Sequence, residues 1–317
     1  MKTKVLTTAR AFGIISREPA EMLETAGFEV TVRNDNFDQA EFESIAPEYD
    51  AIILGGNPFP EHVLEKCSRL KMISKFGVGM NNVPLEKCKE MGIVVTNTPG
   101  LNANAVADLT FGLILSACRN LVLSNNNVRK GLWRTEIGID VYKKTLGVIG
   151  YGAIAKDVIR RAKGFDMKVL VYNHRPKEMD EDFCGYARFV DLDELLAGSD
   201  IVTLHVPLAN NTRNMIDAPQ IAAMKDGAIL VNTSRGGIVN ERALYEACKS
   251  GKLRAAALDV LEKEPAASDN PLLSLPNVII TSHIGMFSEE SINAVNIRCA
   301  ENVIAMFKGG TVKNRVV

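Results

Sequence analysis

Charge of one sign is missing from this chain: 37 Lys and Arg against 38 Asp and Glu leave a formal net charge of −1 over 317 residues. With no basic stripe interleaved with aromatics, that balance argues against a nucleic-acid or anionic-membrane partner. Long hydrophobic runs are also missing. LTFGLILSAC (109–118), the longest nearly apolar stretch, is bounded by Asp108 and Arg119, far short of the roughly 18–20 residues that a membrane span needs. The N-terminal MKTKVLTTAR runs straight into a strand-like segment, so no signal peptide is expected. The six cysteines (67, 88, 118, 184, 248 and 299) form no CxxC pair. Neither a disulfide frame nor a metal site is expected, and the thiols read as those of a reduced, cytoplasmic protein.

What is present is a globular composition, 46% hydrophobic and 24% charged, in a chain long enough for two domains of roughly 100–200 residues. Short β-branched runs alternate with amphipathic stretches from start to finish, which signals α/β architecture with parallel sheets. A first series of strands is expected at 4–8, 28–32, 50–55, 71–76 and 93–97. A second is expected at 145–150, 167–172, 200–206, 228–233, 255–260 and 278–283. Pro99 and Gly100 punctuate the chain between them, and a helix is expected from near Asn102 to beyond Arg119. A closing helix is expected over 292–307. Two series with one closing helix suggest one domain inserted into another, whose last helix comes from the C-terminus.

GVIGYGAIA (147–155) follows an expected strand and opens an expected helix. Gly150 suits a tight turn, Gly152 lets backbone approach a pyrophosphate, and Ala155 takes the third, small position. The helix N-terminus behind it offers free N–H groups to phosphates. A strand–turn–helix that needs glycine for geometry alone is the plainer reading. Three later stretches, NTSRGGIVNE (232–241), LDVLEKEP (258–265) and TSHIG (281–285), each put polar side chains just past an apolar strand. There the ligand crevice of an open α/β sheet lies. Arg235 has the planar fork that suits a carboxylate, and the imidazole of His283 suits proton transfer, since a free imidazole titrates near working pH. A carboxylate, Asp259 or Glu264, could orient the imidazole. Singly, each residue could as well be structural.

Taken together, KFGVGMNNV (75–83), NTPGLNANAVADLTFGLIL (97–115), KTLGVIGYGAIA (144–155), HVPL (205–208), VNTSRGGIVNE (231–241), ALDVLEKEP (257–265) and SHIG (282–285) resemble the D-isomer-specific 2-hydroxyacid dehydrogenase family, most of all its D-3-phosphoglycerate dehydrogenase branch. The resemblance spans nearly the whole chain in the family's order. It implies two doubly wound parallel-sheet domains with a cleft between them: a flavodoxin-like substrate domain from 1–99 plus 287–317, and a Rossmann dinucleotide-binding domain from 100–286. It implies His283 as acid/base, Glu264 as its partner, and Arg235 as a substrate holder. Lys75, Gly77, Val78 and Gly79 would also meet the substrate. Thr98, Gly150, Gly152, Ala153, Ile154, Val206, Pro207, Thr233, Ser234, Arg235, Asp259, His283 and Gly285 would meet a nicotinamide cofactor. A homodimer is implied, built through the nucleotide domains with an arm near Trp133. The chain ends at Val317, so the serine-sensing domain of longer phosphoglycerate dehydrogenases is expected to be absent.

The chain departs from the family pattern in places. Lys75 stands where Arg is frequent, Asn81 replaces an Asp, and Asp108 replaces a Glu. Met286 and Phe287 follow HIG, where the family carries a small residue, and are expected to narrow the pocket beside the nicotinamide. The acid that normally ends the second strand of the nucleotide domain is missing: VYNHRPK (171–177) has Asn173, His174 and Arg175 instead. Loss of a carboxylate and gain of cations favour the 2′-phosphate of NADP(H) over NAD(H). The plainer reading has Asn173 binding the ribose of NAD. The expected function is hydride transfer between NAD(P) and a small D-2-hydroxy acid, phosphoglycerate dehydrogenase-like. The alternatives are glyoxylate or hydroxypyruvate reduction, phosphite oxidation, or a nucleotide-sensing interaction protein of the C-terminal-binding-protein type.

Overall fold

A computed structural model describes residues 2–33, 38–175 and 177–317. Pro176, within VYNHRPK, lies outside them. The chain divides into two compact units, Met1–Asn102 with Met286–Val317, and Ala103–Gly285. In the first unit the strands are β1 (Lys4–Thr7), β2 (Glu29–Val32), β3 (Ala51–Leu54), β4 (Met72–Lys75) and β5 (Val94–Thr96). In the second they are β6 (Thr145–Ile149), β7 (Lys168–Tyr172), β8 (Ala187–Phe189), β9 (Ile201–Leu204), β10 (Ala228–Asn232), β11 (Leu253–Leu258) and β12 (Val278–Ile280).

Both sheets are wholly parallel, ordered β2-β1-β3-β4-β5 and β12-β11-β10-β9-β6-β7-β8. Parallel strands need crossover helices, so both faces of each sheet are covered and the strands read as continuous apolar runs. In β10, AILVN, all five residues are buried. Ile229 and Val231 join the core on one face, and Ala228 and Leu230 join the core on the other. The first unit repeats this in β3, with Ala51 and Ile53 on one face and Ile52 and Leu54 on the other. The helix Ala103–Cys118 is apolar nearly all round and lies in the second unit's core against β10 and β11. The helix Glu289–Lys308 returns to the first unit and packs Val295, Cys299 and Val303 into its core. No single helix among the described residues is long and apolar enough to cross a membrane.

The sequence reading differs at four places. β8 is an extra strand at the sheet edge, three residues long and without the apolar run that signals a strand. The helix expected to pass Arg119 stops at Cys118, because Asn120 takes a left-handed conformation (φ 53°) and a second helix, Leu121–Arg129, starts with none of its residues buried. The closing helix begins at Glu289, where the Ser288 side chain accepts the Ser291 N–H as a cap. Finally, the C-terminal tail pairs with β5: Val95 donates to the Val317 carbonyl, and Val316 donates to the Val95 carbonyl.

Candidate active site

The phosphate loop forms where the order of the second sheet changes direction, between β6 and β9. Gly150 has φ +104°, donates its N–H to the Tyr172 carbonyl at 2.7 Å, and leaves only 2.4 Å between an added Cβ and the His205 carbonyl. No side chain fits there. Gly152 is the reverse case: a Cβ on it would meet nothing within 4 Å. The fold itself does not need this glycine, and the open space fits a pyrophosphate. Gly152 starts the helix Ala153–Ala162, and Lys156 is the first residue to bond back to its carbonyl. The amides of Ala153, Ile154 and Ala155 therefore have no acceptor among the described residues, the arrangement that receives anions. Val206 flanks the loop, and burial pushes the His205 imidazole down to about 3, so that ring is neutral. Pro207 is exposed and its carbonyl accepts the Thr212 hydroxyl at 2.7 Å.

At the end of β7 the Asn173 amide donates to the Arg175 carbonyl at 2.6 Å, closing a turn that leaves His174 and Arg175 exposed. The segment beyond is tied to the phosphate loop through Tyr151. Lys177 Nζ donates to the Tyr151 carbonyl at 3.1 Å, and the Asp180 N–H donates to its phenolic oxygen at 2.9 Å.

The candidate acid/base pair comes from the segments after β11 and β12. His283 Nδ1 lies 2.7 Å from Glu264 Oε2, while Glu264 Oε1 accepts the Leu261 N–H at 3.0 Å. A carboxylate at Nδ1 holds the proton of the neutral ring there and leaves Nε2 as its unprotonated nitrogen. His283 is exposed, with φ +56°, a conformation uncommon for a residue with a Cβ. Asp259, 1% exposed, accepts from Thr281 Oγ1 (2.6 Å), Ile284 N (2.9 Å) and Gly285 N (2.8 Å). Both its oxygens are committed to the loop around His283, a role that the sequence reading missed.

Arg235 is set by the turn after β10. Its carbonyl accepts from Asn232 Nδ2 (2.9 Å), and Asn232 Oδ1 accepts the Ser234 N–H (3.0 Å). The Ser234 hydroxyl donates to the Leu204 carbonyl, and Thr233 Oγ1 meets Thr110 Oγ1 at 2.9 Å. A Cβ on Gly236 would stand 1.9 Å from the Leu261 carbonyl, so the turn lies flat against the segment after β11. Burial draws the Arg235 pKa down while the Glu264 charge opposes it; a guanidinium keeps its proton regardless.

In the first unit, Gly77 (φ +109°) donates its N–H to Thr98 Oγ1 and accepts the Thr98 N–H, both at 3.1 Å. The Val78 and Gly79 amides have no acceptor among the described residues. Lys75 is 7% exposed and its Nζ donates to the carbonyls of Gly55 (2.7 Å), Phe76 (3.1 Å) and Leu54 (3.5 Å), which braces the loop. Thr98 is buried and holds Gly77. Met286 packs into this unit's core, its sulfur 3.7 Å from where a Gly77 Cβ would stand, while Phe287 is exposed.

Residues 111–285 match the family model described as the NAD binding domain of D-isomer specific 2-hydroxyacid dehydrogenases. The chain belongs to that family. Gly150, Gly152, Arg235, Glu264 and His283 all fall in the matched span. The chain is 41% identical over 305 residues to the D-3-phosphoglycerate dehydrogenase of Methanocaldococcus jannaschii, covering 95% of this chain and 58% of that protein. It is 39% identical over 280 residues to the hydroxypyruvate reductase of Thermotoga maritima, covering 87% and 90%. A crystal structure of a Thermus thermophilus protein superposes with a TM-score of 0.92 at 35% identity, covering 99% of this chain and 100% of that one. The chain thus spans little more than half the length of the phosphoglycerate dehydrogenase relative and most of the reductase. Among the described residues, no group of His, Cys, Asp or Glu could hold a metal ion.

Proposed function

We propose that the protein is an NAD(P)-dependent oxidoreductase that interconverts a small D-2-hydroxy acid and its 2-oxo acid. The observation that carries this is the His283–Glu264 pair at 2.7 Å, beside Arg235 and on the same sheet edge as the phosphate loop. A bound nicotinamide supplies or accepts the hydride. His283 Nε2 takes the hydroxyl proton in oxidation and returns it in reduction. Glu264 keeps the ring in the required tautomer. Arg235 orients the substrate carboxylate. Gly150, Gly152, Ala153 and Ile154 would hold the dinucleotide.

Residues 100–286 serve as the nucleotide domain, and 1–99 with 287–317 as the substrate domain. The cofactor is NADP(H), because His174 and Arg175 are exposed at the end of β7 where an acid would repel a 2′-phosphate,. The protein is a homodimer, and its six free thiols suit the cytoplasm. Names such as phosphoglycerate dehydrogenase and hydroxypyruvate reductase among its relatives support a small hydroxy acid as substrate. The same names disfavour a purely partner-binding role.

Titration with NADPH and NADH in parallel, followed by steady-state reduction of hydroxypyruvate and glyoxylate, tests this. His283→Asn should lower kcat by roughly 10²–10⁴-fold while cofactor affinity stays within about threefold. Arg175→Ala should erase a preference for NADPH. Equal or tighter binding of NADH by the unaltered protein would overturn the NADP(H) assignment, and unchanged turnover in His283→Asn would sink the catalytic one.

A further inference from the structure

We propose that Glu241 is a positioning residue for the acid/base pair: from the first turn of its helix it holds in place the loop that presents Glu264 to His283. This rests on the dehydrogenase reading above and adds to it a residue that acts through Glu264. All the groups concerned lie in the second unit.

Glu264 stands on a loop with little to fix it. Val260 and Leu261 are buried, but every residue from Glu262 to Ala266 is exposed. Among the described residues, no main-chain hydrogen bond involves any position from 260 to 266. Side chains therefore decide where the loop lies. The Leu261 N–H goes to Glu264 itself at 3.0 Å, which folds the loop on itself without tying it to anything else. The Arg213–Glu262 ion pair is 3.6 Å long with both side chains more than half exposed, and such a pair holds weakly. The remaining hydrogen bond to the loop's main chain comes from the next amide: Glu262 donates its N–H to Glu241 Oε1 at 2.6 Å. A short bond to a charged oxygen is among the strong ones.

Glu241 is itself fixed. It opens the helix Glu241–Ser250, which Asn240 caps by accepting the Arg242 and Ala243 N–H groups at 3.1 Å. Its other oxygen accepts Asn270 Nδ2 at 3.1 Å, and Asn270 Oδ1 accepts the Leu272 N–H at 3.0 Å. The Asn270 amide cannot turn without losing that bond, so the Glu241 carboxylate is held at both oxygens. The helix follows the turn that carries Arg235, and Gly236 in that turn lies against the Leu261 carbonyl. Glu241 thus ties the Glu264 loop to the same turn. A misplacement of about 1 Å in a catalytic group can cost roughly 100-fold in rate.

The test compares Glu241→Ala, Glu241→Asp and Glu241→Gln with the unaltered protein in hydroxypyruvate reduction. Gln keeps an oxygen for the Glu262 N–H, whereas Asp keeps the charge at the helix start but falls short of that amide. Glu241→Ala and Glu241→Asp should lower kcat by roughly 10- to 100-fold, with KM and dinucleotide affinity within about threefold. Glu241→Gln should recover most of the loss. A charge that only stabilises the helix N-terminus gives the opposite order, Asp retained and Gln impaired, and that result would overturn the proposal. In a Glu264→Ala background, Glu241→Ala should cost nothing further in kcat, because residues that act as a unit are not additive. The same loss in both backgrounds would also overturn it. Histidine-selective nitrogen-15 spectra of the neutral ring give a readout without turnover. The Nδ1–H tautomer of His283 should persist in Glu241→Gln and give way to a mixture in Glu241→Ala and Glu241→Asp. If no 2-oxo acid is reduced by the unaltered protein, the dehydrogenase reading fails by itself. An unchanged tautomer in all three variants would sink the role of Glu241.

Discussion

Residue 283 has a left-handed backbone, which costs a residue with a Cβ roughly 1–2 kcal/mol. The Asp259 carboxylate imposes it by taking Thr281 Oγ1 and the amides of Ile284 and Gly285, bracketing the histidine from both sides. Asp259→Asn puts an amide NH₂ against N–H donors. It should lower unfolding free energy by about 2–3 kcal/mol, read from urea melts, and should reduce kcat more than dinucleotide affinity. Unchanged stability together with unchanged kcat would mean that something else holds the loop. At this scale the candidate side chains were legible, because Arg, Glu and His past apolar strands advertise chemistry. The bracing by Asp259, Thr98 and Asn232 was not, because most of these bonds reach backbone groups that only the folded chain places.

The phosphate loop separates two kinds of glycine within one element. Gly150→Ala should unfold the protein several degrees lower, since its Cβ would stand 2.4 Å from a carbonyl oxygen on a backbone at φ +104°,. Gly152→Ala should leave the melting temperature within about one degree yet weaken NADPH by tenfold or more, because its Cβ enters the space kept for the pyrophosphate. Differential scanning calorimetry and fluorescence titration on the same two variants decide this; the reverse pattern would place the ligand elsewhere. Secondary structure follows the same division. The apolar runs became strands near their expected bounds, as continuous burial in β10 illustrates. The break at Asn120 and the edge strand β8 were invisible, since a single left-handed residue and a three-residue edge leave no periodicity to read.

Across the whole molecule, the second unit exposes an apolar strip around the helix Leu121–Arg129 and the segment after it. Trp133 is 92% and Ile137 83% exposed, and Leu121, Val122 and Val128 also face outward. Exposed apolar surface of this kind marks an association face, in line with the proposed homodimer. Trp133 is the single tryptophan in the chain, so its emission reports on this face alone. Dilution through the dissociation range should shift the emission to longer wavelength as sedimentation velocity records loss of the dimer. Constant emission alongside dissociation would place the contact on another surface, and a monomer at every concentration would remove the homodimer from the proposal.

Local pattern was enough for the fold class, the order of the strands along the chain, the phosphate loop and the chemical types gathered at the strand ends. These depend on short-range periodicity and on residues whose function is written in their side chains. Which of those groups remain available was settled only by folding. It turned Lys75 inward to three carbonyls, engaged the Gly77 amide with Thr98, and locked Asp259 beneath His283. Availability depends on what lies next to a group after the chain has closed on itself, across separations such as the 285 residues between Ala11 and Asn296, and no local pattern encodes that.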